Sequence, residues 1–164
     1  MSNSSIEIRL AKSEDAAAIA VLLAQAFAEY QSLYTPDGYA ATAITREEVV
    51  RRSEEGPVWV ALGDELILGT VSVVMKGESL YLRGMAVLPT ARGHRIGELL
   101  LAHVEEFAES KAVQRLFLST TPFLDRAIRL YEHFGFRRTS EGPHDLFGTP
   151  LFTMEKSIER SPID

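Results

Sequence analysis

The chain has 164 residues and a mass of 18.2 kDa, with 46% hydrophobic and 24% charged residues; this is the balance of one folded domain and too apolar for a disordered segment. Its 17 Lys and Arg against 23 Asp and Glu leave a net charge of −6, which argues against a surface built to neutralise nucleic-acid phosphates. The lack of cysteine excludes a disulfide framework, thiolate zinc sites and a cysteine nucleophile.

Met1 to Ser5 has neither a basic region nor an apolar stretch, and the longest apolar run, Ala16 to Ala24, falls short of the roughly 18 residues a membrane span needs. No signal peptide, membrane partner or nucleic-acid partner is therefore expected, and the expected location is cytoplasmic. Residues 1–164 read as a single domain, with flexible tails at 1–5 and 159–164.

In chain order, Ile6, Ile8 and Leu10 alternate with polar residues as a first strand. Ser13-Glu14-Asp15 opens a helix to about Gln31, with Ile19, Leu22, Leu23, Ala26 and Phe27 on one face. Residues 32–45, containing Pro36-Asp37-Gly38, read as a loop; Thr45-Arg46-Glu47-Glu48 then starts a short helix that ends before Gly56-Pro57. Strands follow at Val58 to Leu62, Leu66 to Met75 and Leu80 to Val87. A helix from Ile96 to Ser110 carries Ile96, Leu99, Leu100, Val104 and Phe107 on one face. Leu116 to Thr120 is a strand. Thr121-Pro122 fits a cap with proline in the first helical position, for a helix running to His133 or Phe134. Phe136 to Arg138 and Leu151 to Met154 close the order βααβββαβαββ, an α+β sheet domain.

The segment Val87 to Gly97 is the most informative. A strand that turns tightly into an amphipathic helix aims unpaired backbone N–H groups at one point, and the helix dipole, Arg92, His94 and Arg95 add positive charge there. This is an anion cradle suited to a pyrophosphate. It lacks the Gly-Lys-Ser/Thr ending of a P-loop, and Gly93 with Gly97 does not make the dinucleotide fingerprint. In the second segment, Ala127 to Phe136, Tyr131 shares a helical face with Ala127, Ile128 and Phe134, so by itself it reads as a core tyrosine with its hydroxyl at the edge, and only the preceding loop gives it a chemical role. His94, His103, His133 and His144 show no metal-site spacing, and no serine sits in a Gly-x-Ser-x-Gly turn.

Together, Arg92 to Gly97 and Tyr131 to Phe136 resemble the acetyl-CoA loop and following helix of the GNAT N-acetyltransferase superfamily, whose loop reads Arg/Gln-x-x-Gly-x-Gly/Ala. Arg92, Ile96 and Gly97 fit; Arg95 stands where the middle glycine is usual, and Leu124 where many members have an asparagine. The likeness is strongest from Leu80 to Phe136, and the first 75 residues match in layout only. It implies a GNAT-like mixed, mostly antiparallel sheet flanked by helices, and acetyl-CoA as co-substrate with no metal. The pantetheine arm would run along Met85, Ala86 and Val87, with the pyrophosphate at Arg92, Gly93, His94, Arg95, Ile96, Gly97 and Glu98. The resemblance further implies that the amine of a small molecule or peptide would attack the thioester directly, with Tyr131 as the acid for the departing thiolate.

Many relatives carry an acid about four residues before the valine matching Val87; here that residue is Arg83, which can either clamp an acceptor carboxylate or pair with a surface acid. Tyr81 and Met85 share its face unless Gly84 marks a bulge. Glu29, Glu78, His144 or a water chain remain as bases, and Tyr34, with Tyr30 and Tyr39, lines an acceptor pocket or merely packs. An amino acid or other acidic metabolite is the acceptor that Arg83 favours. A catalytically silent CoA-binding module and an acyltransferase using another acyl-CoA are the alternatives, and a homodimer is a family expectation.

Overall fold

The computed structural model describes residues 6–158; the expected tails 1–5 and 159–164 lie outside the described residues. In chain order the elements are β1 (Glu7–Leu10), α1 (Ala16–Phe27), α2 (Pro36–Thr42), α3 (Arg46–Glu55), β2 (Val58–Gly63), β3 (Leu66–Lys76), β4 (Ser79–Val87), α4 (Ile96–Ser110), β5 (Arg115–Thr120), α5 (Asp125–His133), β6 (Arg137–Arg138), β7 (His144–Leu146) and β8 (Thr149–Ser157). The strands form one mixed sheet in the order β1-β2-β3-β4-β5-β8-β6, with β7 paired to β8, and β4–β5 is its one parallel pair.

Alternation along the strands divides the apolar residues between two layers. In β2, Trp59 and Ala61 face Leu100, Leu101 and Val104 of α4, while Val58, Val60 and Leu62 face Ile19, Leu22 and Leu23 of α1 and Val49 of α3. Each such leucine or valine, fully buried, contributes about 1.5–3 kcal/mol by leaving water. The helical stretch Ser13–Leu33, in which short 3-10 turns flank α1, is long and apolar enough by length and composition to cross a membrane, although its unbroken apolar run is only Ala16 to Ala24. Its Ile19, Leu22, Leu23 and Ala26 are buried in the second layer of this fold.

Three local expectations need correction. Residues 36–42, read as loop, form α2: Thr35 caps it by accepting from the Gly38 amide at 3.0 Å, and Pro36 occupies the first turn. The Thr35 amide in turn donates to Thr149 Oγ1 at 2.9 Å, and a long-range contact of this kind is not visible in a local Pro-Asp-Gly signal. Thr121-Pro122 does not cap α5. The Leu124 amide bonds the Thr121 carbonyl at 3.3 Å in a separate turn, and the helix begins at Asp125. Finally, the hairpin strand β7 adds one strand to the expected order.

Candidate functional site

β4 and β5 are hydrogen-bonded only at their starts, from Ser79↔Arg115 to Tyr81↔Phe117. Beyond that point β4 stays with β3 and β5 stays with β8, so a wedge opens between them. A bulge in β4 marks the divergence. Thr70 pairs with Ala86 and Ser72 with Arg83, so three steps on β4 oppose two on β3, and Gly84 takes up a positive φ of 63°. The extra residue reverses the side-chain alternation: Leu80 and Leu82 lie on the α4 side, and so do Met85 and Val87, whereas Ala86 lies on the α1 side. Tyr81 and Arg83 therefore do not share a face with Met85, and the bulge alternative is the one realised.

A cavity of about 590 Å³ occupies the wedge. At one end the chain leaves β4, makes a 3-10 turn at Pro89–Ala91 and enters α4. Arg95 takes the left-handed conformation there (φ 62°, ψ 22°), so an arginine supplies the dihedrals for which glycine is usual. No amide from Gly93 to Glu98 is drawn into a turn or loop backbone bond; the first α4 bond that reaches back is Leu99 N–H to the Arg95 carbonyl at 3.1 Å. Gly97 gives the helix its close approach to two side chains, since a Cβ there would meet Leu130 Cδ2 at 2.7 Å and displace it, with Met85 Cε at 3.4 Å. The donor set, a row of free amides flanked by Arg92 and Arg95 at the N-terminus of a 15-residue helix, fits a pyrophosphate.

Of the residues expected along the cofactor path, Met85, Ala86, Val87, Arg92, Gly93, Arg95, Ile96, Gly97 and Glu98 line the cavity. His94 is exposed and its side chain is not part of the lining, so its amide is what it can offer the cradle. Ile96 is buried in the core, so only its main chain faces the site. Tyr131 is buried, lines the cavity and packs its ring on Phe136 at 5.8 Å. Burial pushes its phenol well above the ordinary tyrosine range.

Arg83, Tyr81 and Tyr34 line the cavity as expected of acceptor-site residues. Arg83 also carries a surface partner, with Nη2 2.6 Å from Glu55 Oε1, which is the surface-acid pairing expected as one of its two alternatives. Tyr81 stacks on Phe117 (5.0 Å) and Tyr34 packs edge-on against Phe123 (4.9 Å). Burial raises the Tyr34 phenol.

The three proposed bases are corrected. Glu29 does not line the cavity; its carboxylate binds Arg92 and, at 3.4 Å, Arg126. Its hydrogen bond from Arg92, above all, holds it below the usual carboxylate range, which makes it a weak proton acceptor. Glu78 sits exposed in the β3–β4 turn, and His144 is exposed on β7 with Nε2 3.1 Å from Thr153 Oγ1. Neither lines the cavity.

Two charged lining residues escaped the sequence reading, Arg52 and Arg126. Arg52 lies three residues after buried Val49 on α3, so a charged residue on the apolar face was the available signal.

A sequence model of the acetyltransferase (GNAT) family matches residues 20–136 of this chain. The chain is 31% identical over 129 residues to the uncharacterized N-acetyltransferase YjgM of Escherichia coli, covering 75% of this chain and 77% of that one. Among solved structures, a GNAT-family acetyltransferase of Staphylococcus aureus superposes with a TM-score of 0.78 at 18% identity, covering 94% of this chain and 100% of that chain. The PaiA N-acetyltransferase of Thermoplasma acidophilum, in complex with coenzyme A, superposes at 0.76 and 21% identity, covering 93% of this chain and 99% of that one.

Proposed function

The chain belongs to the acetyltransferase (GNAT) family and is an acyl-CoA-dependent N-acyltransferase, and from that premise we propose that it moves an acetyl group from acetyl-CoA to a primary amine through the wedge between β4 and β5. The observation that carries this reading is the pairing of free amides at Gly93–Glu98 with open strand edges and buried Tyr131 in one continuous cavity. The coenzyme A bound to the Thermoplasma acidophilum neighbour supports the same choice of co-substrate.

Acetyl-CoA supplies an activated thioester. The amides between Gly93 and Glu98, with Arg92, bind the pyrophosphate. The unpaired edge of β4 from Leu82 to Val87 offers main-chain groups to the pantetheine amides, as an added strand would use them. A backbone N–H near Met85 stabilises charge on the thioester oxygen. As the C–N bond forms and the C–S bond breaks, the amine loses one proton and the sulfur gains one. Tyr131 holds the proton for the sulfur. The cavity's lining carboxylate, Glu98, hydrogen-bonds to Arg95, so the amine's proton leaves through water.

Calorimetry provides the binding test. Acetyl-CoA and CoA are expected to bind, and pantetheine without its phosphates to bind at least about tenfold more weakly, as the loss of charge-assisted bonds predicts. Equal affinities would remove the assignment of the loop. Thiol release over a panel of amines and several acyl-CoAs tests turnover and the acetyl preference; a protein that binds CoA and releases no thiol with any of them is not this enzyme.

A further inference from the structure

The charges in the cavity are one-sided. Five arginines line it (Arg52, Arg83, Arg92, Arg95 and Arg126) against one carboxylate, Glu98. Four of them have an acidic partner: Arg83 has Glu55, Arg92 and Arg126 share Glu29, and Arg95 has Glu98. Arg52 has no carboxylate within ion-pair distance among the described residues. Its polar contact is a long one, Nη2 to the Ala41 carbonyl at 3.5 Å.

The unpartnered guanidinium lies away from the phosphate cradle. Its Nη1 stands 2.9 Å from where a Cβ on Gly84 would be, whereas the cradle's Gly97 touches Met85, whose side chain points to the opposite face of β4. Arg52, on α3, and Arg83, bonded to Glu55 of α3, thus both lie on the α3 side of the wedge, in a cavity that Tyr81 and Thr42 of α2 also line. A half-buried cation next to a second cation is unfavourable unless an anion arrives. Accordingly burial, and then the charge of Arg83, depress the Arg52 guanidinium. Arg83 has capacity to spare, since its Nε is buried without a hydrogen-bond partner and its own partner Glu55 is 55% exposed.

We propose that Arg52 and Arg83 together form a carboxylate clamp for the acceptor, so that the substrate is an amine carrying its own acid group, as an amino acid does. This inference rests on the acetyltransferase reading and names the substrate class of the same cavity. The clamp fixes the carboxylate on the α3 side of β4 and leaves the amine to point along the wedge toward the thioester. Gly84 belongs to the device, because its missing side chain makes the space that the Arg52 guanidinium fills.

The test compares amino acids with their carboxamides in thiol release, at a pH where both amines are largely neutral. The wild type is expected to favour the acid by roughly tenfold or more in kcat/KM, the selectivity of a desolvated arginine–carboxylate pair. Arg52→Gln is expected to bring that preference to about twofold or less with acetyl-CoA affinity unchanged, and Arg83→Gln to reduce it in the same direction. Glu55→Gln is expected to keep or strengthen it by freeing Arg83. Equal use of acid and amide by the wild type, or a preference that survives Arg52→Gln, overturns the clamp while leaving the acetyltransferase reading intact. If no amine is turned over, that reading falls, and titration of CoA-bound protein with N-acetylphenylalanine and its amide decides the clamp. Acid-selective binding lost in Arg52→Gln supports it, and unselective or absent binding overturns it.

Discussion

Tyr131 combines two properties that its position in sequence does not separate, a ring packed on Phe136 and a place in the lining of the cavity. Burial raises its phenol, so the group stays protonated throughout the range in which an enzyme works. The same desolvation raises the basicity of a thiolate placed beside it, which keeps the proton transfer feasible. Tyr131→Phe retains the ring against Phe136 and deletes only the hydroxyl; kcat is expected to fall by about 10²–10⁴-fold, with the acetyl-CoA dissociation constant changed by no more than a few-fold. Calorimetry and steady-state kinetics measure the two effects separately. The direction of the shift also fixes the pH profile. Tyr131 does not ionise below about 10, so it contributes no falling alkaline limb, and the rate climbs with pH as the acceptor amine loses its proton. A limb that descends near pH 8–9 in the wild type and vanishes in Tyr131→Phe would contradict the shift.

The turn from β4 into α4 depends on backbone conformation more than on side-chain chemistry. Arg95 occupies the left-handed region, which costs a non-glycine residue about 1–2 kcal/mol, while glycine there costs about 0.5–1 kcal/mol in unfolded-state entropy. Arg95→Gly is therefore expected to leave the melting temperature unchanged or slightly higher, and Arg95→Val, β-branched at the same dihedrals, to lower it by several degrees; thermal unfolding checks both. Elements with a sustained period were legible in the sequence. Ile96, Leu100 and Val104 repeat along α4, and Trp59 alternates with Val58 and Val60 across β2, so their partners in the core follow. What escaped was decided by contacts between distant segments. Thr35 caps α2 while held by Thr149, 114 residues away, and a Pro-Asp-Gly signal cannot register that. The faces of β4 turned on whether Gly84 was a bulge, a one-residue question that reverses every later side chain. Arg52 was missed because a helix as charged as Arg46–Glu55 reads as a solvated face, and only its neighbours on β4 make one of those charges internal.

Over the whole molecule the local and global charges have opposite signs, a net −6 around a cavity with five arginines and one carboxylate. Ligands that carry phosphate or carboxylate relieve that internal excess, so binding and folding are linked. At 100 times its dissociation constant, acetyl-CoA is expected to stabilise the fold by about 2.7 kcal/mol, which at this chain length raises the melting temperature by roughly 5–10 °C. Differential scanning calorimetry across a concentration series gives the measurement; a midpoint that does not move would contradict the linkage. The parted strands carry a further consequence. A β-strand edge without a partner is a template for any other chain, and here two such edges, on β4 and β5, face each other across the wedge. The same main-chain groups that receive pantetheine are open to a strand from a neighbouring copy when none is bound. Protein stripped of acyl-CoA should scatter light and seed aggregates sooner than the loaded protein, so that in a cell the supply of CoA would govern how long each copy of the enzyme lasts.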